Sequence, residues 1–251
     1  MAHAPGTFCW ADLAAPDMDA AAAFYSGLFG WTSELVGTTE ETRGYTFFML
    51  DGKRVVGYGP PGPEEPPSWR IYVAVESADE TAAKVRDAGG EVLMEPTDVT
   101  DVGRMAVFRD PGGAVFCIWQ PRAHEGAEVS REPNTMGWVE HMTSDVEGAK
   151  RFYGAVFGWD ADAMDAGYSI WKLGDAELGG LTGMNDLPPG TPPHWMVDFA
   201  VTDVDAAAGR APEVGGQVNV PPTTVDLPDR GPLTFAVISD PNGAPFGIFA
   251  T

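Results

Sequence analysis

The chain repeats itself, and this duplication constrains its fold more than any other feature. Residues 10–31, WADLAAPDMDAAAAFYSGLFGW, align with residues 138–159, WVEHMTSDVEGAKRFYGAVFGW, at an offset of 128. Eight of the 22 positions are identical: Trp10, Asp17, Ala21, Phe24, Tyr25, Phe29, Gly30 and Trp31 with their partners. Ordinary residue frequencies would give about one or two. The later parts repeat as well. WRIYVAVESAD…AGG of residues 69–90 answers WMVDFAVTDVD…VGG of 195–216, and DPGGAVFCIW of 110–119 answers DPNGAPFGIF of 240–249. The chain is two homologous halves.

Proline cuts each half again. PPGPEEPPS (60–68) and PPGTPP (188–193) can continue neither a helix nor a central strand. The polar stretch PRAHEGAEVSREPNT (121–135) joins the halves. The expected organisation is a first domain over 1–122, a linker over 123–135 and a second domain over 136–251, each domain holding two modules. Every module opens with a short strand such as FCWADL or RIYVAV. A helix follows, with Asp17, Asp79, Asp145 or Asp203 near its N-cap and Gly30, Gly89, Gly158 or Gly215 closing it. Phe24 and Leu28, like Phe152 and Val156, stand four apart and give their helices a buried face. Pro212 falls in the last turn of the fourth helix and weakens that assignment. Further strands (GYTFFML and RVVGYG, then VLMEP, RMAVFR and AVFCIW) complete the pattern. Four βαβββ modules make an α+β architecture.

With 44% apolar and 11% aromatic residues the chain has ample material for a packed core. Its formal net charge of −22 would be repelled by a phosphate backbone or an anionic membrane, so neither is an expected partner. The same charge attracts cationic small molecules, or serves solubility alone. Cys9 and Cys117 are too few for a disulfide framework, and the opening residues show neither a basic n-region nor an apolar h-region. No apolar run reaches the roughly 20 residues of a membrane span. A soluble, cytoplasmic protein with reduced thiols is expected.

The motif D-x-x-x-A-x-x-F-Y-x-x-x-F-G-W, followed by A-G-G and D-P-x-G-x-x-F-x-I-W, resembles the vicinal oxygen chelate superfamily, the glyoxalase, bleomycin-resistance and extradiol-dioxygenase group. The resemblance runs from Thr7 to Phe249 and occurs twice. It implies βαβββ modules that cup two mixed sheets, here as a fused dimer with two related but unequal pockets. It also implies metal-ligand positions. These correspond to Trp10 and Trp138 on the first strands, Arg70 and Met196 on the second-module strands, and Cys117 and Gly247 on the last strands. The remaining position falls at 56–58 and 179–181, where Tyr58 stands but no carboxylate. This set cannot complete a shell of nitrogen and oxygen donors, so no metal and no cofactor are expected.

Side chains alternate faces along a strand, so positions two residues on point the same way. Those are Asp12 and Glu140, Tyr72 and Asp198, and Trp119 and Phe249. The expected ligand-binding set is therefore Trp10, Asp12, Tyr58, Arg70, Tyr72, Trp119, Trp138, Glu140, Met196, Asp198 and Phe249. Aromatic faces with a few acids suit a flat polycyclic ligand, one carrying an amino group included; equally, Trp10 and Trp138 would fill the space of a lost site. In the resembling family, pockets draw on the first module with the fourth and the second with the third. That grouping would gather Trp10, Asp12, Met196, Asp198 and Phe249 in one pocket. Trp138, Glu140, Arg70, Tyr72 and Trp119 would form the other, with Arg70 neutralising Glu140. Of the histidines, His3 and His124 read as solvated, His194 borders a proline loop, and His141 points to the core side. No nucleophilic triad or phosphate loop has its motif.

Two functions stand. One is a metal-free small-molecule binder, which the resemblance places near the proteins that hold bleomycin- or anthracycline-type compounds unaltered. Its role would be self-resistance or relief of a tailoring oxygenase, as a monomer or weak homodimer. The other is a cofactor-independent enzyme, an isomerase or an oxygenase component, using Asp12, Glu140 or Asp198 as acid or base.

Overall fold

The computed structural model describes residues 3–37, 39–164, 167–185, 187–227 and 231–250. The first half runs β1 (Phe8–Ala14), α1 (Met18–Phe29), β2 (Thr32–Leu35), α2 (Thr39–Thr42), β3 (Thr46–Leu50), β4 (Lys53–Gly59), β5 (Ser68–Ala74), α3 (Ala78–Asp87), β6 (Glu91–Val99), β7 (Gly103–Arg109) and β8 (Val115–Pro121). The second runs β9 (Met136–Thr143), α4 (Val146–Phe157), β10 (Asp160–Ala163), β11 (Ser169–Leu173), β12 (Ala176–Gly183), β13 (His194–Ala200), α5 (Val204–Glu213), β14 (Gln217–Leu227), β15 (Gly231–Ser239) and β16 (Pro245–Ala250). They form two mixed eight-stranded sheets, ordered β2-β3-β4-β1-β5-β8-β7-β6 and β10-β11-β12-β9-β13-β16-β15-β14. In each module the first strand lies parallel to the last, β1 on β4, β5 on β8, β9 on β12 and β13 on β16. The remaining module pairs are antiparallel. This is the expected α+β architecture of βαβββ modules.

The helices begin and end where short polar residues and glycine put them. Asp17, Asp145 and Asp203 cap α1, α4 and α5 by accepting backbone N–H bonds from Ala20, Gly148 and Ala206. For α3 the cap is Ser77, and Asp79, expected at that place, sits in the first turn. Gly30 and Gly158 close α1 and α4 in the left-handed conformation, with φ of 74° and 73°. Helix α5 carries Pro212 in its last turn, where little helix remains to be broken. The 123–135 segment holds no strand or helix but is tied down: Glu128 exchanges backbone and side-chain bonds with Arg54, and Thr135 is fully buried.

The chain divides into two compact units. The first comprises Met1–Trp10, Arg70–Gly126 and Val139–Met196; the second comprises Ala11–Trp69, Ala127–Trp138 and Val197–Thr251. Each core is aromatic. In the first, Tyr153 lies against Trp159, Trp171, Trp195 and Phe116, with ring centroids 5.2–5.5 Å apart. In the second, Tyr25 lies against Trp31, Phe48, Trp69 and Phe246 at 5.4–5.6 Å. The F-Y pair and the F-G-W tryptophan of each repeat are thus core residues. Each indole also holds a distant strand lead-in: Trp31 Nε1 donates to the Asn134 carbonyl and Trp159 Nε1 to that of Gly6, at 2.8 and 2.7 Å.

Candidate functional site

The boundary between the units crosses β1, β5, β9 and β13, so neighbouring positions on one strand are shared between them. Trp10, Arg70, Tyr72, Trp119, Glu140 and Met196 belong to the first unit, and Asp12, Tyr58, Trp138, Asp198 and Phe249 to the second.

The two halves treat their equivalent positions differently. Trp10 and Trp119 are only 4% and 6% exposed, and His124 is wedged against both, with centroids 4.7 Å from Trp10 and 5.7 Å from Trp119. Trp119 Nε1 donates to the His124 carbonyl at 2.7 Å, and its ring occupies the space a side chain on Gly103 would need. His124 is therefore buried, not the solvated linker residue expected from its polar surroundings, because two indole faces offer it an apolar seat. Trp138, Glu140 and Phe249 in the second half are by contrast partly exposed. Phe249 packs beside Gly137, where a Cβ would come within 2.7 Å of its ring.

A second arrangement occurs twice. The Tyr45 hydroxyl donates to Asp12 Oδ2 at 3.2 Å, and the Tyr168 hydroxyl to Glu140 Oε2 at 2.9 Å. Asp12 pairs in strand register with Gly57, and Glu140 with Gly180. A Cβ on either glycine would collide with the tyrosine hydroxyl, and on Gly180 with the Glu140 carboxylate too. Glycine is required here by close approach rather than by backbone angle. Tyr45 and Tyr168 were missed from the expected site. The repeated G-Y-T and G-Y-S of residues 44–46 and 167–169 was the signal that could have found them. Tyr58 stacks on Phe48 at 4.1 Å and donates to Ser33 at 3.0 Å.

On the second-module strands the partners are Tyr72 opposite Cys117 and Asp198 opposite Gly247. A side chain on Gly247 would overlap Asp198 Oδ1, so the carboxyl lies across that glycine. Asp198 is partly accessible yet densely surrounded, and burial pushes its carboxyl up to about 8 with no charge or hydrogen bond from the described residues to offset it. That shift favours the uncharged form of the carboxyl. Burial likewise raises the Cys9 thiol.

Divalent-metal chemistry does not fit these residues. The positions that hold ligands in the resembling family carry two indoles, a guanidinium, a thioether, a thiol and a bare glycine. Among the described residues no three His, Cys, Asp or Glu side chains converge as a metal site. None of the helices there is long and apolar enough to cross a membrane.

His141 lies on the core side, as expected, inside a closed network of the first unit. Its Nε2 is 3.2 Å from Asp110 Oδ2, which also accepts the Tyr153 hydroxyl at 3.0 Å, and its ring stacks 4.5 Å from Trp195. Burial pulls His141 below its usual value against the opposing pull of Asp110. Burial alone would raise Asp110, but His141, the Ala114 N–H and Tyr153 hold it below the ordinary carboxylate range. In the second unit Asp240 faces Tyr25 at 3.4 Å, with Leu13 at the position equivalent to His141. Burial there raises the Asp240 carboxyl.

Residues 7–118 match the Glyoxalase/Bleomycin resistance protein/Dioxygenase superfamily, and residues 138–249 match a glyoxalase-like domain. The anthracycline biosynthesis protein DnrV of Streptomyces peucetius is 40% identical over 98% of this chain and 93% of its own length. A Mycobacterium tuberculosis protein named as a candidate glyoxylase, CFP32, is 41% identical over 97% and 94%. Among solved structures, the Mn(II)-bound glyoxalase from Novosphingobium aromaticivorans shares the fold with a TM-score of 0.68 at 19% identity, over 98% of this chain and 82% of that one. An extradiol ring-cleaving dioxygenase from B. fuscum gives 0.67 at 15%, over 100% and 73%.

Proposed function

The chain belongs to the Glyoxalase/Bleomycin resistance protein/Dioxygenase superfamily, and from that premise we propose that it binds a flat aromatic small molecule without a metal. The observation that carries this reading is the exchange of side chains at the family's ligand positions: tryptophan, arginine, methionine and glycine stand where donors would be needed. The relatives named for anthracycline biosynthesis support an aromatic natural product as the ligand class. The second half offers the more open surface, with Trp138 and Phe249 partly exposed where Trp119 is covered and Trp10 is packed against His124.

Aromatic side chains on such a surface hold a planar ligand through contact area and offset stacking. The expected role is self-resistance or an accessory step beside a tailoring oxygenase. A second reading, a cofactor-independent enzyme, is supported by Asp198, whose carboxyl burial raises to about 8, towards the range a general acid needs near neutral pH.

The test is a tryptophan-fluorescence titration against a panel of planar aromatic natural products, with mass spectrometry of the recovered compound. Saturable quenching with an unchanged mass is the expected result. A changed mass replaces the binder with the enzyme, and no saturable quenching by any compound removes both. Within this experiment Trp138→Ala should weaken binding about tenfold, as large desolvated aromatic contacts do. Trp10→Ala should instead lower stability, because its indole is packed against His124. Equal affinity losses from the two substitutions would displace the site from the second half.

A further inference from the structure

We propose that β14 is the contact surface for a second copy of this chain. Two copies would pair their β14 edges antiparallel across residues 223–227, about a twofold axis at Val225. The strand stands last in its sheet, with β15 as its one neighbour in the strand order. Every second residue of such an edge turns its N–H and C=O outwards, where another strand can meet them.

The duplication supplies an internal control, because β6 and β7 are the same hairpin in the first half. There Glu91 stands opposite Arg109 and Asp98 opposite Arg104, ion-paired at 2.6 and 3.0 Å. The corresponding pairs on β14 and β15 are Gln217 with Ser239 and Thr224 with Thr234, whose hydroxyls are bonded at 2.8 Å. Glu95, which pairs with Arg86, corresponds to Pro221. All five charges of the first hairpin's strands are thus gone from the second, where Asp226 is the one charged residue within the two strands. Charged side chains keep an edge from pairing with other chains. Their removal points to a second copy in particular. Two chains of net charge −22 repel each other over most of their surface and meet least repulsion along a neutral strip. A basic partner would instead be drawn to the acidic surface. The strand also fits itself. Val225 is 38% exposed. Pro221 and Pro222 lack N–H groups and so end the pairing-competent edge at Thr223. Centred on Val225, antiparallel pairing sets valine on valine, Thr223 opposite Leu227 and Thr224 opposite Asp226, and no like charges meet.

Sedimentation velocity over a wide range of protein concentration, at low and high salt, tests this. The full chain should pass from monomer to dimer as its concentration rises, and salt should favour the dimer by screening two like-charged copies. Val225→Lys sets two ammonium groups face to face at the axis and should weaken the dimer at least about tenfold. Its exposed position should leave thermal unfolding of the monomer where it was. Leu93→Lys, on the exposed edge of the sister hairpin, should leave association unchanged. Hydrogen exchange on the parent gives a second reading without any variant: amides of residues 223–227 should gain protection as the dimer forms. A chain that stays monomeric throughout overturns the proposal. So does a dimer that Val225→Lys leaves intact, one that salt dissociates, or one that forms with no change in exchange at 223–227.

Discussion

Trp31→Ala is expected to cost about 3–5 kcal/mol of stability, the range for deleting a buried aromatic side chain. Trp31 is fully buried, with Phe29, Phe48, Phe199 and Tyr25 at centroid distances of 4.8, 5.1, 5.3 and 5.5 Å. The cavity would be lined by rigid rings that cannot collapse into it, so the loss should sit high in that range. The indole N–H also satisfies the Asn134 carbonyl, two residues before β9 begins. Trp31→Phe should therefore remain destabilising, at about 1–3 kcal/mol, since it leaves that acceptor unmet and a smaller void. Urea unfolding followed by circular dichroism measures both. A Trp31→Ala loss under about 1 kcal/mol would mean the F-G-W tryptophan is not the core element described above.

The second large effect concerns Asp110. Its Oδ1 accepts the Gly113 and Ala114 N–H groups at 2.8 and 2.9 Å, while Oδ2 faces Tyr153 and His141. Asp110→Ala strands the buried Ala114 N–H, Tyr153 hydroxyl and His141 ring and should cost about 3–5 kcal/mol, as removing one member of a buried pair does. The sign of the pH dependence follows from the directions of shift. His141 and Asp110 both lie below their unfolded values. Their contributions are complete above about 6.5 and 3.9 respectively and are lost as the pH falls. Asp240 is raised, so its contribution is present below about 3.9 and is lost as the pH rises. The first unit should therefore weaken on acidification while the second does not. Replacing His141 by the leucine of the other half should flatten the stability profile between about pH 6.5 and 5. Unfolding midpoints for His141→Leu that track the parent across that window would refute the assignment.

The fold was legible because duplication does the work that a single pattern cannot. Each motif seen twice at a fixed offset marks an equivalent place, and the repeated aspartate and glycine of D-x-x-x-A-x-x-F-Y-x-x-x-F-G bound the first helix of each half. The site was legible only in part. Strand alternation gives Asp12, Glu140, Tyr72 and Asp198 the face of the position two residues earlier on their own strands, but it carries no information about what lies across that face. Tyr45 and Tyr168 reach their acids from the residues just before β3 and β11, through space opened by Gly57 and Gly180. The upward shift of the Asp198 carboxyl was illegible for the same reason, since it comes from burial in the fold rather than from the residue's own identity. His124 was misread because polar sequence neighbours say nothing about two indoles distant in the chain.

The way the compact units draw on the chain sets an order for biosynthesis. Every segment of the first unit has been made once Met196 has left the ribosome, whereas the second still lacks Val197–Thr251. Until then the rings of Phe24, Tyr25, Phe29 and Trp31 wait without Phe199 and Phe246, the partners they pack against. Nascent chains stalled before residue 197 would thus present one finished core and one unclosed aromatic surface. That surface is what a holding chaperone would bind and what would aggregate in its absence.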